Sequence, residues 1–216
     1  YMLEGSMKHK DHMGNEGLLE PGSVQWMTAG RGVLHSEMPL QDEGRLHGFQ
    51  LWVNLPANEK MRPADYQELP KEKIPVIIIG ERSYVKVIAG AFNRNGSIVS
   101  GPITGVTTAP DYFDIFLGEG DTVDVTTEKN KRVLIYVYEG LAIIEDKSLN
   151  AKQLGTLSEG DSVLITAGQQ SRLLFLAGIP IKEPIINWGP FVMNTREEIE
   201  QAVKDFQTDK LVSVAK

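Results

Sequence analysis

The sequence predicts an all-β protein of two tandem barrels followed by one short C-terminal helix. Three observations predict it. Short apolar runs recur at close spacing, separated by Gly, Pro, Asn or Asp, the pattern of barrels and sandwiches. A Gly-punctuated unit near the start recurs in the second half of the chain. One segment near the C-terminus shows helical spacing.

Taken in order, Tyr1-Met2-Leu3-Glu4-Gly5 reads as the end of a strand entering a turn; with no initiator methionine at position 1, we expect chain before Tyr1. Lys8-His9-Lys10-Asp11-His12-Met13-Gly14-Asn15 reads as a polar, exposed hairpin. A strand begins at His47, which is structural or pocket-lining, and Phe49, Leu51 and Val53 alternate with Gln50, Trp52 and Asn54 along it. Further strands are expected at Val76–Ile79, Tyr84–Ala89, Tyr112–Leu117, Val133–Tyr138, Leu141–Ile144, Ser162–Ile165 and Leu173–Leu176. Asn93-Arg94-Asn95-Gly96-Ser97 reads as a turn, and Lys129-Asn130-Lys131-Arg132 as a solvated turn. Trp188 with Gly189-Pro190-Phe191 is expected to anchor the tail. Thr195-Arg196-Glu197-Glu198 forms a capping box, and Ile199, Ala202, Val203 and Phe206 follow at helical spacing, so a helix is placed at about 195–207.

The repeat aligns Tyr1-Met2-Leu3-Glu4-Gly5 with Tyr136-Val137-Tyr138-Glu139-Gly140, Leu19–Val24 with Leu157–Val163, and Met27–Gly30 with Ile165–Gly168. Two copies of one barrel unit explain it. Domains are expected at 1–104 and 105–216. Five residues past Gly30 lies His35, while five past Gly168 lies Leu173. The second copy therefore keeps the barrel without that histidine.

The chain of 216 residues has no cysteine, which excludes disulfides and thiolate chemistry. No apolar run approaches a membrane span and no signal peptide is recognisable, so a cytoplasmic location is expected, or a nuclear one in a eukaryote. The net charge of −7 and scattered Lys and Arg argue against direct nucleic-acid binding. No Gly-x-Ser-x-Gly elbow or phosphate loop occurs.

The informative pair is His35 and Glu37. Residues i and i+2 of an extended chain share a face, so imidazole and carboxylate aim together. A hydrogen-bonded structural pair is the plain alternative. As ligands they suit iron, manganese, nickel, copper or zinc.

A Gly-rich turn, a strand and a Gly-containing loop ending in His resembles the second motif of the cupin superfamily. The wording Gln25-Trp26-Met27-Thr28-Ala29-Gly30-Arg31-Gly32-Val33-Leu34-His35-Ser36-Glu37-Met38-Pro39, then His47–Pro56 and Gly189-Pro190-Phe191-Val192-Met193-Asn194-Thr195, is similar to the pirin family. That resemblance implies two tandem cupin (jelly-roll) barrels, the first holding one metal, usually iron (Fe2+), through three histidines and a glutamate. It identifies His35 and Glu37 as two of the four. The family's His-x-His motif, carried on the strand upstream, does not occur in these residues. Two ligands alone would hold metal weakly; with the upstream strand present the set is complete.

The resemblance implies two kinds of function. One is an iron-dependent dioxygenase of the quercetin 2,3-dioxygenase type, with Glu37 both ligand and proton acceptor. The other is a metal-dependent regulator, such as a transcription co-regulator, acting through a protein partner. Met7, Met27, Phe49 and Leu51 are the expected pocket walls for a flat flavonol-like ligand.

Overall fold

The computed structural model describes residues 1–40 and 43–212. Contacts divide it into two compact units, one made of 1–71 with 181–216 and the other of 72–180.

The first unit begins with β1 (Met2–Glu4), β2 (Met7–Asp11), β3 (Glu16–Leu19), β4 (Val24–Thr28), β5 (His35–Pro39), β6 (His47–Gly48) and β7 (Asp65–Leu69). They pair as β3-β2-β5, β1-β6 and β4-β7. The β2–β3 hairpin exists as expected, but its turn is confined to the residues after Asp11. The Asp11 carboxylate closes it by accepting the backbone N–H groups of Met13 and Asn15, both at 2.9 Å. The strand expected through Phe49–Asn54 stops after Gly48. Phe49 adds one reciprocal pair of backbone bonds with Tyr1, at 2.8 and 2.9 Å, and the chain then leaves the sheet.

The second unit contains β8 (Val76–Ile78), β9 (Tyr84–Ala89), β10 (Ala91–Arg94), β11 (Ser97–Ser100), β12 (Asp111–Leu117), β13 (Thr122–Thr126), β14 (Arg132–Ile144), β15 (Lys147–Asn150), β16 (Gln153–Thr156) and β17 (Ser162–Gly178). Eight of these strands form one sheet, with β15-β14-β17-β12-β9-β8 as its path. The two strands expected on either side of Gly140 are one strand, and so are the two around Gly168. Gly140, at φ +81°, makes a bulge where a Cβ would collide with Gln170 and Ser171. The glycine bends the strand without ending it. Inward residues from six strands, Val87, Phe92, Phe113, Val125, Ile135, Ile165 and Phe175 among them, form the core. The 93–97 turn is the tip of the β10–β11 hairpin, with Asn95 and Gly96 both at positive φ. The domain boundary expected at 104/105 lies between β11 and β12, inside this unit.

The tail returns to the first unit as β18 (Ile186–Trp188), β19 (Phe191–Met193) and α1 (Arg196–Gln207). The capping box of Thr195 and Glu198 is complete. Trp188 pairs with Phe191 in the β18–β19 hairpin, but it is 68% exposed. Phe191 ties the tail to α1, its ring edge-on to Phe206 at 6.2 Å. The stronger tie is Lys60, a buried ammonium that donates to Asn54 Oδ1 (2.7 Å) and to the Val192 carbonyl (3.1 Å). Burial pulls its pKa down, opposed by the charges of Glu183 and Glu198. No helix among the described residues is long and apolar enough to cross a membrane.

Both units show one plan. Gly22 N–H donates to Met2 O, as Lys152 N–H does to Val137 O. Gly5 and Gly140 share a positive φ. Met7 pairs with Leu19 and Pro39, as Ala142 pairs with Leu149 and Ala167. By this register Gly22 matches Lys152, not Gly160, and the counterparts of His35 and Glu37 are Val163 and Ile165, not Leu173 and Phe175. These displacements, of eight residues for Gly22 and ten for His35 and Glu37, arose because both segments carry similar Gly-turn-strand wording.

Candidate metal centre

His35 and Glu37 open and centre β5, which pairs with β2 so that Asp11 faces His35 and His9 faces Glu37. Directly paired residues share a face of the sheet, so these four stand together, with Met7 and Gly17 beside them. Every residue of β5 is exposed, and its only strand partner among the described residues is β2. In the second unit, the matching positions Val163, Ile165 and Ile144 belong to the apolar interior or pack against it. The His35–Glu37 face is therefore the interior face of the barrel plan.

The sequence placed His9 in an exposed hairpin. Instead it is 2% exposed. Lys8 and Lys10 take the solvent face of β2, leaving His9 and Asp11 inward, and the parity with Met7 was the available signal. The His9 ring meets the Tyr66 hydroxyl at 2.7 Å from Nε2 and 3.1 Å from Nδ1, and Glu68 Oε1 lies 3.6 Å from Nε2. Tyr66 accepts from Gln25 Nε2 at 2.9 Å. Tyr66 and Glu68 lie on β7 opposite Met27 and Gln25 of β4. Gly17 is required, since a Cβ there would overlap His9 Nε2 and both Glu68 oxygens. Burial pushes the Tyr66 hydroxyl up to about 12; the Gln25 hydrogen bond opposes this, and the charges of Glu68, Asp11 and Glu37 add to it.

Of the expected pocket residues, Met7 and Met27 share faces with this cluster. Phe49 is half-buried and edge-on to His47 at 5.4 Å, and Leu51 is 38% exposed outside any strand. Phe49 is still paired with Tyr1, and Leu51 lies past the point where the chain departs from the sheet. His47 sits 3.9 Å from Glu4, the place that Arg172 and Glu139 hold in the second unit at 3.4 Å. His12 accepts the Leu34 N–H at 3.2 Å, fixing the chain that leads into His35.

As a donor set, one imidazole and one carboxylate on a shared face suit a divalent transition metal. No group of three or more His, Asp or Glu among the described residues could hold a metal ion. His35 and Glu37 fit as part of a ligand set. Asp11 is committed to its turn, and His9 to Tyr66. A cavity of about 570 Å³ lies elsewhere, in the second unit between Gly90, Asp111, Thr127 and Lys131. The Lys131 and Asp111 side chains there are buried and 2.9 Å apart, with the exposed Glu128 3.6 Å from Lys131. Lys131 closes the expected turn with its N–H on the Glu128 carbonyl, at 3.0 Å, but its side chain is not solvated: Asp111 draws it inward.

Residues 1–53 match the family model for Pirin, and residues 112–212 that for the Pirin C-terminal cupin domain. A pirin-like protein of Caulobacter vibrioides is 45% identical over 207 residues, 96% of this chain and 74% of that protein. Human pirin is 40% identical over 223 residues, covering 97% and 72%. A crystal structure of a quercetin 2,3-dioxygenase from Acinetobacter baumannii superposes with a TM-score of 0.90 at 36% identity, covering 99% of this chain and 75% of that one.

Proposed function

The chain belongs to the pirin family, and from that premise we propose that its first unit is a mononuclear metal site, iron being the metal, for quercetin 2,3-dioxygenase-type oxidation of flavonols by O2. The observation that carries this reading is the contrast in one register: His35 and Glu37 stand where the second unit has Val163 and Ile165. Ligand chemistry thus replaces core chemistry at one place in a shared plan.

His35 would bind as a neutral imidazole and Glu37 as a carboxylate. The metal would supply a Lewis-acid position for the flavonol oxygen. Glu37 would accept the proton of the flavonol hydroxyl, for which an ionised carboxylate on the site's own strand is the suitable base. Met7 and Met27 would line the apolar side. The rest of the ligand set has a natural place. In the second unit the counterpart of β5 is flanked by β13, whose Val123 and Val125 pair with Ile165 and Val163. A strand bearing His-x-His at the matching place beside β5 would bring two imidazoles opposite Glu37 and His35.

Aerobic turnover of quercetin by the iron-loaded full-length protein tests the reading, with Glu37→Gln as the control. The expected result is turnover that falls at least about a hundredfold in the variant while metal is retained. Absence of turnover in the loaded, unsubstituted protein would remove the enzymatic reading.

A further inference from the structure

The loop between β4 and β5, residues 29–34, delivers His35 to its strand, and it is held at two glycines. At the first, the Arg62 carbonyl accepts the Arg31 N–H at 3.0 Å and lies so near Gly30 that a Cβ there would collide with it. At the second, a Cβ on Gly32 would come within 2.7 Å of Leu211 Cγ, so the Leu211 side chain sits against the Gly32 backbone. Gly32 also holds φ at +150°, a conformation that L side chains rarely adopt.

The second unit's loop is not clamped in this way. The step from Gly22 to His35 is thirteen residues and the matching step from Lys152 to Val163 eleven, so the loop that leads to histidine is the longer one. The shorter loop carries Gly160, where an added Cβ would meet only Ser162 O among the described residues, at 3.9 Å.

The tail is shaped to place Leu211. A Schellman motif ends α1: the Lys210 N–H donates to Asp205 O at 2.8 Å and the Asp209 N–H to Phe206 O at 3.3 Å, with Asp209 at φ +55°. Leu211 follows this reversal at once, its own N–H on Asp205 O at 3.1 Å, and its side chain is buried. A six-residue loop with two glycines has much conformational freedom to lose. Metal binding through His35 would bear that ordering cost unless the loop is ordered beforehand.

We propose that Leu211 is a positioning residue for the metal site: seated on Gly32, it holds the 29–34 loop in the conformation that presents His35, so the C-terminal tail sets metal affinity. This rests on the metal reading of His35 and Glu37.

The test is Ni(II) affinity of the full-length protein at a temperature well below its unfolding, with hydrogen exchange of residues 29–34 measured on the metal-free form. Leu211→Ala should bind Ni(II) about tenfold more weakly, the result of a binding-competent loop fraction that falls to about a tenth. Exchange in 29–34 should rise in the same variant. Leu211→Met, close in volume, should restore most of the affinity. Thr195→Ala controls for a merely structural role: it weakens α1 at its other end and should change neither readout. Unchanged affinity in Leu211→Ala, or an equal loss in Thr195→Ala, would overturn the inference. Should Leu211→Ala fail to fold, unchanged affinity in Leu211→Val would do the same. No Ni(II) binding by the unsubstituted protein would overturn the metal reading, and this inference with it.

Discussion

One row of positions runs through both units with opposite chemistry. In the second unit Ile144, Ile165 and Val163 meet in an apolar interior beside Val123 and Val125. In the first, His9, Glu37 and His35 hold the same register. The surrounding plan is kept, down to the register shift in β1, the positive-φ glycine after it and a glutamate beside a basic side chain. The same topology therefore carries either an apolar core or a polar face, and the residues in this row decide which. The second unit acts as an internal control for the first.

Exchanging residues along the row breaks the comparison most sharply. Ile165→Glu buries a carboxylate with no partner and should cost at least about 3–5 kcal/mol, read by urea unfolding. The reverse change, Glu37→Ile, removes an exposed charge and should shift stability by no more than about 0.5 kcal/mol. Equal losses in the two variants would mean that the rows are not alternatives.

Lys131→Ala asks whether charge in the second unit is structural. It strips Asp111 of its buried partner and should also cost about 3–5 kcal/mol, with Asp111→Asn recovering part of that loss in the double variant. A smaller effect belongs to the phenol beside His9. Tyr66 holds its proton up to about pH 12, against an ordinary value of 10.0. The fold thus favours the neutral phenol. Its contribution is complete below pH 10 and is lost as pH rises from 10 to 12, because the unfolded chain ionises first. Unfolding in that window should steepen with pH for the unsubstituted protein and less so for Tyr66→Phe. Thr195→Ala, at the cap of α1, should cost about 1 kcal/mol by thermal unfolding and leave metal affinity untouched.

What was legible in the sequence had local causes. The capping box and the spacing of Ile199 to Phe206 define α1 without reference to anything distant. The run Tyr84–Ala89 is β9 to the residue. That His35 and Glu37 share one face of a strand was legible from their alternation. Features that depend on pairing were less visible. Gly140 signals a turn in sequence, but only its partner strand makes the site a bulge. Lys131 reads as solvated until Asp111, twenty residues earlier, is placed beside it. His9 sits in the most polar string of the chain, and its burial depends on Tyr66, Glu68 and Gly17, which only the fold brings together.

The central claim is that the ligand row belongs to the first unit alone. Metal stoichiometry of the full-length protein tests it most directly, measured for the unsubstituted protein and for the paired change His35→Val with Glu37→Ile, which copies Val163 and Ile165. The account predicts one metal per chain, lost in the paired variant while the melting temperature of the metal-free protein is unchanged. Metal retained in that variant, or two metals per chain in the unsubstituted protein, would contradict it.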